Sequence, residues 1–266
     1  MIEQALALCI GFVSSIAGAY LGIGGGIIIV PALVMLLGIQ MHSAVAVSLA
    51  TIVSTSTLVT MRNLKKGIIN FDMGIKLELT TALFAILAGF FAIHVNQALL
   101  KAIFGAFLLL FAIFMYLKPE PKAVESDSGA FSYYDEFLAK RVSYDVKHPT
   151  AAVIISSFAG FLSGMLGIGG GIVKVPILNG ICGIPMKVAS ATSSMMVGIT
   201  AASASLIYLK YGYQKPTLVL FTSIGAIAGS GVGLFFSKKT RNETVKLVFV
   251  LMLVAVGVEM IIKAVK

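Results

Sequence analysis

At 266 residues, 58% of them hydrophobic and only 12% charged, the chain is far from a soluble domain, in which about a quarter of the residues are charged. Uncharged runs over 43–61, 79–100, 151–173, 188–209 and 216–237 approach or exceed the roughly 20 residues that cross a bilayer, so the sequence describes an all-α polytopic membrane protein. The formal charge of +9 does not signal nucleic acid. The bases sit at the ends of apolar runs, as in Arg62/Lys65/Lys66 and Lys238/Lys239/Arg241, where juxtamembrane Lys and Arg set orientation.

The chain opens on Met1-Ile2-Glu3-Gln4, an acidic start that does not suit a cleaved signal peptide. The stretch 4–41 carries no charge but is interrupted by four glycines within 22–26. About 40 residues would make two crossings, so this stretch suits two short arms meeting at the glycines. Irregular backbone at membrane depth is tolerated only inside protein or beside a water-filled cavity, which makes the break a functional candidate. Segment 43–61 is a helix rich in Ser and Thr, with Ser48, Thr51 and Thr55 on one face. That face serves either a substrate or contacts between helices. Helices over about 74–94 and 98–117 follow, with His94 in the turn between them.

Residues 118–149 form the long polar segment. Phe131, Tyr134, Phe137/Leu138 and Val142 recur there at helical spacing, which predicts a short amphipathic helix on the membrane surface. Its lysines and arginine place it on the cytoplasmic side. The expected organisation is a first membrane repeat over 1–118, a linker over 119–149 and a second repeat over 150–266.

The second half repeats the plan in words as well as in rhythm. Leu21-Gly22-Ile23-Gly24-Gly25-Gly26-Ile27 with Val30-Pro31 returns as Leu166-Gly167-Ile168-Gly169-Gly170-Gly171-Ile172 with Val175-Pro176. Laid over 166–212 without a gap, 21–67 matches at 20 of 47 positions, which reads as an internal duplication. Each half is expected to hold two short arms and three transmembrane helices. The positive-inside rule divides the basic residues evenly between parallel and inverted arrangements. The near-neutral loop His94-Val95-Asn96-Gln97, set against its basic counterpart, and the acidic start favour inversion, a recurrent transporter plan with the substrate near the midplane.

A glycine-rich turn opening a helix is an anion site in principle, through unpaired N–H groups, the positive dipole end and the absence of Cβ atoms. Gly24, Gly25 and Gly26 precede one arm, and Gly169, Gly170 and Gly171 the other. Close helix packing through small residues is the competing use. Lys174, three residues past the second triplet where the first copy has Ile29, is an embedded charge and hence a site candidate, unless it snorkels to the interface. Carboxylates are scarce: Glu78 is read as lying near a basic helix end and Glu259 near the C-terminus. A carboxylate proton relay is therefore not expected, and an inside-negative potential alone favours anion exit by about 2.3 kcal/mol per charge per 100 mV. Cys9 and Cys182 lack metal-ligand spacing and read as small buried hydrophobes. No metal, cofactor or enzyme motif is present. The glycines are not a dinucleotide fingerprint, because Ile27 and Ile172 stand where G-x-G-x-x-G needs glycine.

The doubled G-I-G-G-G-I-x-x-V-P, each followed by G-I-x-M and then A-x-S (Ala46-Val47-Ser48; Ala191-Thr192-Ser193), resembles the TauE/SafE sulfite exporter family, also called the 4-toluene sulfonate uptake permeases. The resemblance covers nearly the whole chain. It implies a multi-pass transporter of the prokaryotic cytoplasmic membrane for sulfur-containing oxyanions such as sulfite, sulfonates or sulfoacetate, in either direction. The long 118–149 segment exceeds the short linker expected of the family. The expected substrate contacts are Gly24, Gly25, Gly26, Ser48, Thr51, Gly169, Gly170, Gly171, Lys174, Thr192 and Ser193. A channel or permease for another small solute is the alternative. Helix faces toward lipid and toward protein look alike in sequence, so no oligomeric state is assigned.

Overall fold

The computed structural model describes residues 1–21, 24–117, 129–135, 140–236 and 242–265. The chain runs α1 (Ile2–Leu21), α2 (Gly26–Leu36), α3 (Met41–Lys65), α4 (Phe71–Ala92), α5 (Gln97–Leu117), a hairpin of β1 (Phe131–Asp135) and β2 (Lys140–Tyr144), then α6 (Pro149–Leu166), α7 (Gly171–Pro176) with a π-helical turn over Ile177–Ile181, α8 (Met186–Lys210), α9 (Pro216–Phe236) and α10 (Asn242–Val265). Among the described residues, seven helices are long and apolar enough to cross a membrane. Leu79, Leu110, Ile154, Leu206 and Leu251 turn outward, as side chains facing lipid tails do.

Helices α7, α8, α9 and α10 each begin 145 residues after α2, α3, α4 and α5. The packing recurs in the same way: α1 lies on α9 as α6 lies on α4, α3 touches α9 as α8 touches α4, α3 crosses α8, and α5 pairs with α10.

Two expectations are corrected, and the two halves differ in one detail. The first arm of each half is not short: α1 has 20 residues and α6 has 18, and each holds a stretch of membrane-crossing length, so only α2 and α7 are half-length. The second arm is also less regular than the first. Pro31 sits inside an unbroken α2, whereas past Pro176 the backbone opens into the π turn; each proline stands at the sixth helical position, so the N–H it removes does not by itself produce the wider i→i+5 pattern. The second correction concerns 131–144, which is an antiparallel hairpin and not an amphipathic helix, with Phe131 opposite Tyr144 and Tyr133 opposite Val142. Alternation decided it. Tyr133, Asp135, Val142 and Tyr144 point inward while Tyr134 is exposed, and the aromatic and β-branched content suits a pleated surface. Phe137 and Leu138 lie outside the described residues.

The hairpin packs on Ile68, Met73, Ile177, Leu178, Ile184 and Val188, where the start of α4, the π turn and the start of α8 meet. Asn70 ties this end together. Its Oδ1 caps α4 by accepting from Met73 N at 3.0 Å, and its Nδ2 donates to Tyr144 Oη at 3.0 Å. Of the two cysteines, Cys182 is buried as expected, but Cys9 is exposed on a helix of membrane-crossing length.

Small residues let backbones approach. Gly225, Gly229 and Gly233 of α9 face the carbonyls of Leu8, Phe12 and Ile16 on α1, and Gly160 and Gly164 of α6 face those of Thr81 and Ala85 on α4. The last carbonyls of α6, which lack helical partners, are taken by other helices: Tyr208 Oη donates to Gly164 O at 3.0 Å. Tyr208→Phe should leave that buried carbonyl unpaired and lower stability by about 1–3 kcal/mol, read as a fall in the unfolding midpoint in detergent.

Candidate functional site

Each short arm starts on a turn that suits glycine alone. Gly24 and Gly25 have φ of 81° and 77°, and Gly169 and Gly170 both have 74°, the left-handed region in which a Cβ crowds the carbonyl. Gly25 and Gly170 are the N-cap residues of α2 and α7, and no side chain closes either cap. The first-turn N–H groups and the positive helix end are therefore not neutralised by a side-chain acceptor.

The two turns meet. A Cβ added to Gly24 would lie 2.9 Å from Val197 Cγ1 and 3.4 Å from Ile52 Cγ2, and one added to Gly169 would lie 2.8 Å from the same Val197 Cγ1 and 3.3 Å from Ile52. A Cβ on Gly26 would collide with the carbonyl oxygen of Gly167. Turns far apart in sequence thus share one support, an isoleucine from α3 and a valine from α8, both fully buried. Beside this point a small cleft is lined by Ser15, Gly18 and Ala19 of α1, Gly24, Thr55, Ser56 and Val59 of α3, and Ser194 and Val197 of α8. Gly169→Ala should destabilise the protein by about 1–2 kcal/mol, through the disfavoured φ and the contact with Val197. A thermal unfolding curve indistinguishable from wild type would show that the turn accepts a side chain.

The Ser/Thr positions divide by what their hydroxyls do. Ser48 Oγ donates to Gly167 O at 2.7 Å, serving the C-terminal end of α6. Thr51 Oγ1 lies 2.8 Å from Val47 O and from Thr222 Oγ1 of α9. Thr192 Oγ1 accepts from Asn70 N at 3.0 Å. These three contacts hold helices together. Ser193 is different: its Oγ is buried with no hydrogen-bond partner among the described residues.

Lys174 does not snorkel. It is fully buried, and its Nζ donates to Glu78 Oε2 of α4 at 2.8 Å. Thr200 of α8 completes the group, accepting from Lys174 and donating to Glu78 Oε1. The stem of Lys174 lies against the glycine turn, its Cε 3.6 Å from where a Cβ on Gly170 would stand. Sequence reasoning missed Glu78 as a site residue because it was placed with a basic helix end. Lys76 nearby in fact pairs with Asp72, at 2.7 Å. The available signal was Lys174 itself, since an embedded charge needs a partner and Glu78 is one of very few carboxylates inside a helix. Thr200 and the Ile52/Val197 support were also missed. Among the described residues no cluster of three potential metal ligands occurs.

A bundle of membrane-crossing helices whose interrupted elements meet in its interior, beside a buried charge pair, defines a membrane transporter. The chain belongs to the sulfite exporter TauE/SafE family, whose model matches residues 6–260. It is 23% identical over 264 residues, 96% of each chain, to a probable membrane transporter protein of Bacillus subtilis. It is 28% identical over 272 residues to a probable membrane transporter protein of Methanocaldococcus jannaschii, covering 97% of this chain and 95% of that one. A sulfite exporter TauE/SafE family protein of Arabidopsis thaliana is 37% identical over 86 residues, 32% of this chain and 20% of the plant protein. No solved structure matches.

Proposed function

We propose that the protein is a secondary transporter or facilitator for small sulfur-containing oxyanions, such as sulfite, sulfonates or sulfoacetate, in the prokaryotic cytoplasmic membrane. The observation that carries this reading is the convergence of the two glycine turns on Ile52 and Val197. Two helix starts without side-chain caps are brought to one place deep in the bundle, where backbone N–H groups suit an oxyanion. The substrate contacts we propose are Gly24–Gly26, Gly169–Gly171, the hydroxyl of Ser193, which has no partner among the described residues, and the ammonium of Lys174. The hydroxyls of Ser48, Thr51 and Thr192 shape the site through the helices they join. The family description and the plant relative's printed name support sulfite as one candidate.

We further read the halves as inverted repeats about an axis at the α3–α8 crossing, with the 119–149 linker and its hairpin on the cytoplasmic side. The constant 145-residue spacing of helix starts and the exchange of packing partners support the duplication, and the asymmetry of loop charge supports the inversion.

Reconstituted protein should show saturable flux of sulfite or a sulfonate, and the same anions should raise its unfolding temperature while chloride does not. Flux that rises linearly with concentration, together with no stabilisation by any sulfur oxyanion, would favour a channel for another solute.

A further inference from the structure

The ion pair of Lys174 and Glu78 occurs once in an architecture that otherwise recurs. At the 145-residue offset, Lys174 corresponds to Ile29, Glu78 to Ser223 and Thr200 to Thr55, so the counterpart positions offer two hydroxyls but no charge. A charge pair inside the membrane is costly to build and marks a functional-site candidate. Here it ties α4 to two elements that bear on the second glycine turn: α7, which starts at that turn, and α8, which supplies Val197. Both charges are buried. Among the described residues Lys174 is the charged group facing Glu78. On the α6 side the polar neighbours Thr81 and Ser156 hydrogen-bond each other at 2.8 Å, and from α8 Thr200 reaches the carboxylate.

A carboxylate on a buried lysine is chemically the same occupant as an incoming oxyanion: one delocalised negative charge offering oxygen acceptors to an ammonium. The two cannot both hold Lys174 as anions without a net negative charge at depth. We propose that Glu78 is the coupling carboxylate of transport: in the anion-free protein it occupies Lys174, and a substrate anion takes its place only as Glu78 accepts a proton. The empty site is then Glu⁻/Lys⁺ and the loaded site is Glu–H/Lys⁺/anion⁻. Both are neutral, so one proton enters with each monovalent anion and leaves with it on the other side. Thr200, whose hydroxyl touches both members, keeps a hydrogen bond to each as they separate. This inference rests on the proposed anion function and adds its coupling ion, which the scarcity of carboxylates in the sequence argued against.

The test uses the full chain in proteoliposomes with methanesulfonate, whose charge stays fixed near neutral pH. Wild type should accumulate the anion about tenfold per unit of inside-alkaline pH gradient, carry protons inward with it, and ignore a membrane potential set with potassium and valinomycin. Glu78→Gln leaves an empty site of charge +1 and a neutral loaded site. It should therefore lose the tenfold response to pH and gain a response to potential, a change that a purely structural role of Glu78 would not produce. If Glu78→Gln does not fold, the wild-type measurements decide alone. Wild-type flux that follows potential and not the pH gradient overturns the coupling and leaves the anion function standing. Absence of any methanesulfonate flux or stabilisation overturns both.

Discussion

Lys174→Met should destabilise the folded protein by about 3–5 kcal/mol, the usual penalty for breaking a buried pair by removing one partner. The loss arises less from the missing attraction than from what is left behind. Glu78 is only 4% exposed, and its remaining polar neighbour is the hydroxyl of Thr200. Removing both charges should reverse most of the effect, because a buried pair replaced by neutral groups of similar volume is often neutral or stabilising. The Lys174→Met/Glu78→Gln double variant is therefore expected to unfold within a few degrees of wild type while failing to transport. Thermal unfolding of the single and double variants in the same detergent measures this, and a single variant as stable as the double would show that Glu78 is either neutralised by a proton or solvated once Lys174 is gone.

Gly229→Leu should prevent α1 from seating on α9, at a cost of about 3 kcal/mol or more, the upper end for overpacking. A Cβ at Gly229 would run into the carbonyl of Phe12, which is backbone and has no rotamer to change. The neighbouring glycines two helical turns apart, Gly225 and Gly233, meet α1 in the same manner, so the obstruction cannot be relieved by sliding one turn. Gly231→Leu on the same helix is the control, since nothing lies within 4 Å of the Cβ it would introduce. The first variant should lose its monodisperse peak in size-exclusion chromatography and the second should keep it. Equal behaviour of the two would mean that the helices are not held by this seam.

The parts that were legible in the sequence are those in which a single residue type has a single physical use. Glycines at 24–26 and 169–171 announced breaks in otherwise apolar runs, and breaks in membrane helices are confined to protein interiors. Apolar length announced the spanning helices, although the rule that assigned two short arms to each half misjudged α1 and α6. Residues with several uses were read less well. Ser48 and Thr51 share a face, and nothing in their spacing tells a hydroxyl aimed at a solute from one aimed at Gly167 O or Thr222. Phe131–Tyr144 carries both a helical and an alternating period, and the alternating one won because Tyr133, Val142 and Tyr144 have a surface to cover at the start of α8 and the π turn. Glu78 and Lys174 are 96 residues apart, so their pairing is a property of the fold alone. Ile52 and Val197 had no signal at all, being aliphatic residues in aliphatic helices.

Those two side chains also set how the protein can move. The turns at Gly24 and Gly169 lean on the same isoleucine and valine, so the two share one support. A shift of α3 against α8 would move the wall behind both loops in the same stroke. The molecule has two breaks but one shared wall between them, so a displacement of that wall is felt at both turns.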